Sequence, residues 1–458
     1  MNAPTLRFRT LPPPGSRVAV ALSGGVDSSL CARLLVEQGC SIVGVTMRVA
    51  GGAALSASSP GGSCYSGGEE ADLAACKRLC DELGAPWELV DLSREYEAEV
   101  LEYFRREYLA GRTPNPCLRC NPLLKFGLLP AAIAARGIAV DWYATGHYVR
   151  ILEEDIRVSE EDTRIREEVT ADSSTAKPPA AYLATAMDGA KDQSYFLQRL
   201  DASVLQRLVF PLGDMRKSEV RALARERGLE AADKPDSQDF ASREDLPVIF
   251  GDRGGKAGSF VRWRPDSSRE VLGQHRGLEF YTIGQRRGLG LAVDSTPLYV
   301  LALDAAHNEV VVGSEDELFE STLVARDAVW QAGLPPEGGV FRALAKIRLA
   351  TPASPATVRI RPDGGVEVAF DTPLRAITAG QSVAFYLPIE NENIAADPAV
   401  PAGEFFRFAG SDRVTEGSAQ PPSLLALVGG AVIEHAGLSL PPSGGTKAGS
   451  DQKDGSPA

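Results

Sequence analysis

The sequence is poor in the features that would place it outside the cell or in a membrane. No apolar stretch among its 458 residues approaches the roughly 20 needed to span a bilayer, and Met1 to Ser16 holds no sustained apolar run of the secretory kind. The expected location is the cytoplasm, with no membrane partner. Cysteine is sparse and odd in number, seven in all. Without a secretory signal, such a set argues for free thiols or a metal or redox site and against a disulfide framework. Only one Cys-x-x-Cys of the compact kind is present, Cys117 to Cys120, and neither a second one nor a paired His follows at zinc-site spacing. Positive charge is also short: 48 Lys and Arg against 61 Asp and Glu give a formal −13, which works against indiscriminate nucleic-acid binding.

Distribution tempers that sum. Much of the acid lies in Glu153-Glu154-Asp155, Glu160-Glu161-Asp162 and Glu167-Glu168, in a polar stretch that ends at Pro178-Pro179. Basic residues concentrate at Arg207, Arg216, Lys217, Arg221, Arg225 and Arg227, and again at Arg286-Arg287. Solvated helix faces account for these as readily as an anion-binding surface does. Apolar content of 44% and charged content of 24% are those of a globular protein, and the length predicts two or three domains.

What is present is a phosphate loop. The apolar run Arg17 to Leu22 fits a buried strand, and Ser28 to Glu37 sets Leu30, Cys31, Leu34 and Leu35 on one helical face before Gly39. Between them stands Ser23-Gly24-Gly25-Val26-Asp27-Ser28. Two glycines let the backbone approach an anion, and the helix start favours negative charge there. A Walker A loop needs a lysine before its Ser or Thr, and none is there.

From Val18 to about Val149, strand-like runs at Val18–Leu22, Ser41–Met47, Trp87–Leu92 and Trp142–Thr145 alternate with helical patterns, which predicts a parallel sheet. Gly51 to Gly68 interrupts them as a long Gly/Ser loop. Beyond about Gly258, short β-like runs follow: Leu298–Leu303, Glu309–Val312, Ala343–Leu349, Ala356–Ile360, Ser382–Tyr386 and Leu425–Ile433. They predict an antiparallel barrel or sandwich. The predicted division is a nucleotide-binding catalytic domain at 1–208, with an acidic insertion at 151–180 and the segment 236–250 a candidate to return to it. A central domain at 209–298, a C-terminal β-barrel at 299–436 with an insertion at 388–424, and a disordered tail at 437–458 follow.

Thr113-Pro-Asn-Pro-Cys-Leu-Arg-Cys-Asn121 is the second chemical focus, because Cys117 and Cys120 stand within reach of one another or of one metal. Core packing explains Cys31, Cys40, Cys76 and Cys80. Cys64, in the Gly/Ser loop, has no packing role and is the candidate third reactive thiol.

Together these motifs resemble the tRNA-specific 2-thiouridylases, members of the PP-loop ATP pyrophosphatase superfamily. Ser23–Ser28 is similar to their PP-loop, and Gly111-Arg-Thr-Pro-Asn-Pro-Cys-Leu-Arg-Cys-Asn121 with Lys125-Phe126 to their nucleophile loop. Ala144-Thr-Gly-His-Tyr148, Lys191-Asp-Gln-Ser-Tyr-Phe-Leu197, Phe210-Pro-Leu-Gly213, Ser237-Gln-Asp239, Tyr281-Thr-Ile-Gly-Gln-Arg-Arg-Gly288, Gly380-Gln381 and Gly429-Gly430 follow in the family's order. The resemblance implies a PP-loop domain, a small central domain that contacts tRNA and a C-terminal β-barrel. It implies ATP-dependent 2-thiolation of the tRNA wobble uridine, with ATP, Mg2+, tRNA and a sulfur donor or sulfur-carrier protein as partners. Ala21, Leu22, Ser23, Gly24, Gly25, Val26, Asp27, Ser28, Met47 and Gly146 would contact ATP. Asn115, Pro116 and Cys117 would surround the target base, while His147, Lys191, Asp192, Gln193, Arg348 and Gln381 would contact tRNA. Cys120 would be the catalytic nucleophile.

One position departs from the resemblance. The family commonly carries a second catalytic cysteine two residues after Ser-Gln-Asp, and here that residue is Ala241. Cys117 with Cys120 replaces the pair on one reading. On another, Cys64, Cys117 and Cys120 ligate an iron–sulfur cluster, although three thiolates are fewer than the usual four. Two rivals to thiolation stand beside these. An amidating PP-loop enzyme would not need the Cys-x-x-Cys loop, and a non-catalytic tRNA-binding or sulfur-relay protein would not need an intact PP-loop.

Overall fold

The computed structural model describes residues 6–51, 65, 68–154, 181–236, 240–241, 244–264, 266, 268–291, 297–331, 339–391, 406–408 and 424–436. Most of the expected acidic insertion, Ser237-Gln238-Asp239, Cys64 and the whole expected tail lie outside these residues.

The N-terminal unit is built on five parallel strands in the order Trp87–Asp91, Ser41–Arg48, Arg17–Ala21, Trp142–Thr145, Leu208–Val209. Four were legible as apolar runs. The fifth has only two residues, too short to register as one. Val18, Ala19 and Val20 are fully buried, as a central strand covered on both faces requires. Helix Val26–Glu37 buries Leu30, Cys31 and Leu35, and Gly39 ends the turn at φ +86°. Helix Glu69–Leu83 buries Leu73, Cys76, Leu79 and Cys80. The strand order reverses direction between Arg17–Ala21 and Trp142–Thr145, the switch point where open α/β sheets bind ligands.

A four-stranded sheet follows, Arg269–His275, Gly258–Trp263, Glu309–Gly313, Tyr299–Asp304. This corrects the expectation that the runs near 299 and 309 open the barrel. Glu309–Gly313 pairs in parallel with Gly258–Trp263, so both runs belong to the central unit, whose core gathers Phe260, Val300, Val310 and Val312.

The C-terminal unit is a closed six-stranded antiparallel barrel in the order Phe319–Trp330, Val366–Arg375, Ser354–Ile360, Val340–Lys346, Ser382–Asn391, Leu425–Ala436, returning to Phe319–Trp330. Closure removes the sheet edges. A ribbon runs from it into the first unit: Ala181–Ala184 pairs with Leu425–Ala436 on one side and with Arg150–Glu154 on the other. Residues 151–154 of the expected insertion are therefore strand. Leu344, Tyr386 and Leu427 of the barrel share one core with Leu118, Leu124 and Tyr195. That shared core fixes the barrel against the cysteine loop.

Candidate active site

The phosphate loop leaves the carboxyl end of the central strand at the switch point. Gly25 starts the helix in an extended conformation, and no side chain caps the helix there. The first-turn N–H groups are thus aimed into the crevice. Ser23 donates its N–H to Ser28 Oγ at 3.2 Å, which folds the loop back on itself. Gly24 has φ +70°, and a Cβ there would lie 3.0 Å from Asp72 Cα. A Cβ on Gly146 would stand 2.8 Å from Asp27 C and Ser28 N. Both glycines are required for the close approach that a triphosphate cradle needs, so the loop fits ATP. A cleft of about 230 Å³ borders Gly24, between Asp72, Arg78, Glu230 and Lys234.

Charges from distant parts of the chain converge on Asp27. Lys217 Nζ donates to Asp27 Oδ1 and Oδ2 at 2.7 and 2.8 Å, and Tyr148 donates its hydroxyl to Oδ1 at 2.7 Å. The same ammonium lies 2.9 Å from Asp236 Oδ1. Asp236 also takes Lys191 at 2.9 Å and Arg221 at 2.7 Å. Burial pushes the Asp236 carboxyl up, but hydrogen bonds and charge from Lys217 and Lys191 win and hold it at about 2. Burial first, and Asp27 next, raise the Tyr148 phenol far above its ordinary value, so it stays a donor. Sequence reasoning gave Asp236 no role, met Lys217 only as one of a run of basic residues, and read Tyr148 only as the end of the Ala144–Tyr148 motif; the structure brings all three to Asp27. One signal was available: Lys217 is the first residue of helix Lys217–Glu226, where the macrodipole disfavours a cation unless an anion waits for it.

The cysteine loop is clamped from both sides. A Cβ on Gly111 would run into Leu303 O of the central sheet. From the barrel, Ala379 O accepts the Thr113 N–H at 2.8 Å, and Gln381 Nε2 donates to Thr113 O at 2.9 Å and to Pro114 O at 3.3 Å. Asn115 Oδ1 accepts the Cys117 N–H at 3.2 Å, an Asx turn that starts the helical turn Cys117–Cys120. Both cysteines are partly exposed. The chain then widens into a π-helix, Asn121–Leu128, where Pro122 has no N–H to give an α-helical bond. Asn121 Nδ2 donates to Phe196 O at 3.2 Å.

The residues expected to meet tRNA divide in two. Lys191 is 41% exposed at its side chain. Asp192 is buried, accepting from Ala186 N–H at 3.0 Å and Ser194 hydroxyl at 2.7 Å, and burial raises its carboxyl. Gln193 accepts the Tyr148 N–H at 2.9 Å. Arg348 donates to Ile283 O and Ala376 O, both at 3.1 Å, and joins the barrel to the central unit. His147 has Nδ1 2.7 Å from Thr145 Oγ1 and sits between the rings of Phe126 and Phe210. Burial, then the charge of Lys125, drives its pKa well below the ordinary value, so the ring is neutral. Met47 packs partly buried at the end of its strand.

Of the sulfur candidates, Cys64 lies outside the described residues. Its chain neighbour Tyr65 donates its N–H to Phe240 O at 3.0 Å and stacks on the Phe240 ring. Ala241 packs on the same core as Cys120. Among the described residues no group of three or more His, Cys, Asp or Glu side chains is placed to hold a metal ion, and no helix is long and apolar enough to cross a membrane.

A parallel sheet with Ser-Gly-Gly-Val-Asp-Ser at its switch point, and without the Walker lysine, defines a PP-loop nucleotide-binding protein. Residues 16–241 match the family model described as the tRNA methyl transferase HUP domain, residues 252–314 the tRNA methyl transferase PRC-barrel domain, and residues 320–394 the Aminomethyltransferase beta-barrel domain. The tRNA-specific 2-thiouridylase MnmA of Roseiflexus castenholzii is 41% identical over 396 residues, covering 81% of this chain and 96% of that protein. Its counterpart in Heliobacterium modesticaldum is 42% identical over 381 residues, covering 81% and 89%. The chain belongs to the tRNA-specific 2-thiouridylase family.

Proposed function

We propose that this protein is a cytoplasmic tRNA-uridine 2-sulfurtransferase that uses ATP to replace the C2 oxygen of the wobble uridine with sulfur. The observation that carries the reading is the Gly146-His147 pair. Gly146 abuts the phosphate loop at Asp27 and Ser28, while His147 abuts Phe126 in the helix that continues from Cys120. One strand end thus joins the ATP cradle to the thiol loop. The domain limits expected from the sequence are carried forward with these changes: the catalytic unit runs on past 208, since Val209, Val220 and Ala224 share the core of Val18 and Leu30; residues 299–313 join the central unit; and 151–154 and 388–391 are strand, not insertion.

The C2 oxygen is a poor leaving group until it is activated. Its attack on the α-phosphate of ATP forms an adenylated uridine and releases pyrophosphate. Ala21 to Ser28, Met47 and Gly146 would hold the nucleotide, whose phosphate charge Mg2+ would offset. The base must leave its stack to reach the site, and Asn115, Pro116 and Cys117 would enclose it.

A persulfide donor transfers its outer sulfur to Cys120 and leaves as a thiol. The terminal sulfur of Cys120–S–S⁻ attacks C2, and AMP departs with the original oxygen. Cys117 thiolate then attacks Cys120 Sγ, which forms a Cys117–Cys120 disulfide and releases 2-thiouridine; an external thiol reduces the disulfide. A second route answers the same departure at Ala241: Cys64, Cys117 and Cys120 would hold an iron–sulfur cluster that binds sulfide.

Purified protein incubated with ATP, Mg2+, unmodified tRNA and either a persulfide or sulfide should form 2-thiouridine with one AMP and one pyrophosphate per turnover. Thiolation without pyrophosphate release would remove the adenylation step. Absence of thiolation with both donors would remove the sulfurtransferase reading.

A further inference from the structure

Beside the cysteine loop, guanidinium groups from separate elements gather around one aromatic ring. Arg106 and Arg119 place their Cζ atoms 5.8 and 5.3 Å from the centre of the Tyr103 ring. Arg199 donates to Asp327 O at 2.9 Å, which brings it to the same place from the turn after Ser194–Leu197. Arg326 arrives from barrel strand Phe319–Trp330 and bonds Asp327 at 2.9 Å. Burial and Glu107 push the Tyr103 phenol up to about 12, against the pull of Arg119, Arg199 and Arg326.

The carboxylates at this place do not balance the arginines at the surface. Glu99 pairs with Arg119 at 2.8 Å, and Glu434 lies 3.7 Å from Arg326. Glu107 is only 1% exposed and sits beneath, shared by Arg112 at 2.6 Å, Arg106 at 3.6 Å and Arg326 at 3.9 Å. Five arginines therefore meet Glu99, Glu107, Asp327 and Glu434, with Glu107 withdrawn from solvent. In a chain of net charge −13 this is a local excess of cation, held partly buried. Burial and the nearby Arg119 both lower the Arg199 pKa, with Asp327 opposing. Clustered like charges repel, and fork-shaped donors around an aromatic face suit a polyanion with stackable bases.

We propose that Arg106, Arg119, Arg199 and Arg326, arranged around Tyr103, form a docking surface for the RNA backbone on either side of the nucleotide presented to Cys120. This rests on the tRNA-thiolation reading and adds a surface to it. Arg119 is the residue directly before Cys120, so a phosphate held here lies next to the thiol loop. The surface spans the catalytic unit and the barrel, so a bound strand would bridge the two.

The test is tRNA affinity measured against salt for wild type, Arg106→Gln, Arg326→Gln and the double variant, with ATP affinity and thermal midpoint measured in parallel. Each single variant should weaken tRNA binding by about 5- to 10-fold at moderate salt. Each should flatten the log–log salt slope by about one for every phosphate no longer neutralised, and KM for tRNA should rise while ATP affinity stays unchanged. Arg326→Lys, which keeps the charge, should recover most of the salt slope. Variants that keep wild-type affinity and slope overturn the proposal, as does a lowered thermal midpoint with tRNA binding intact. Impaired sulfur delivery from a carrier protein with unchanged tRNA affinity also overturns it and assigns the surface to that protein. If wild type binds no tRNA at all, the underlying reading fails instead.

Discussion

Lys217 Nζ bonds both carboxylate oxygens of Asp27, although the two residues are 190 positions apart. The lysine opens a helix whose polar face looks like ordinary surface in the sequence, yet only 8% of it is exposed. It ties the phosphate loop to Asp236 and through Asp236 to Lys191 and Arg221.

Removing that ammonium should disable ATP use before it affects anything else. Lys217→Met leaves Asp27 and Asp236 facing one another beside the site of a polyanion. The expected loss in kcat/KM for ATP is at least about 100-fold, as for removal of a preorganised charge stabiliser. The expected loss of stability is roughly 1–3 kcal/mol. Lys217→Arg keeps the charge and should recover part of both. Pyrophosphate release at wild-type rate by Lys217→Met would dissociate the lysine from ATP chemistry.

The same cluster sets an acid limit. The folded Asp236 carboxyl is held at about 2 against an ordinary 3.8. Its contribution is therefore complete above pH ~4 and is lost as pH falls towards 2. The difference corresponds to stability on the order of 2 kcal/mol. Asp236→Asn should be less stable than wild type at pH 5 in urea unfolding, and the gap should close near pH 2. A gap that stays constant over that range would show that the carboxylate is not held by its cations.

How far the sequence reached follows from these residues. The phosphate loop, its strand and its helix were legible because all three lie within 21 consecutive positions, where periodicity and glycine placement act locally. The cysteine loop was legible for the same reason. What holds these pieces was not. Gln381 and Thr113 are 268 positions apart, and a polar side chain in a motif looks alike whether it faces RNA or a carbonyl. Asp192 and Arg348 illustrate the same ambiguity, since both are largely taken up by internal hydrogen bonds. The apolar runs at 298–303 and 309–312 revealed strands but not their sheet, because a continuous apolar run carries no information on the partner.

Gln381 gives that ambiguity a measurable form. Its amide holds Thr113 O and Pro114 O, so Gln381→Ala should loosen the thiol loop and lower kcat by about 10-fold through misplacement. Stability should fall by about 1 kcal/mol, with KM for tRNA and ATP affinity nearly unchanged. A rise in KM for tRNA with kcat preserved would mark Gln381 as a direct RNA contact instead.

The cysteines carry the sharpest test, because Ala241 stands where the family resemblance implies a second thiol. Cys120→Ser should abolish 2-thiouridine formation while ATP binding persists, since the phosphate loop is untouched. Cys117→Ala separates the two sulfur routes. On the relay route, sulfur still reaches C2 from Cys120 but nothing attacks Cys120 Sγ. A covalent tRNA–enzyme disulfide should then accumulate when no external thiol is present, and added thiol should release 2-thiouridine from it. On the cluster route no such adduct forms. Anaerobically purified wild type should contain iron and acid-labile sulfide, and Cys117→Ala and Cys64→Ala should both lose them along with activity. Full turnover by Cys117→Ala, with no adduct and no change in iron, would leave Cys120 acting without its neighbour and would exclude both routes.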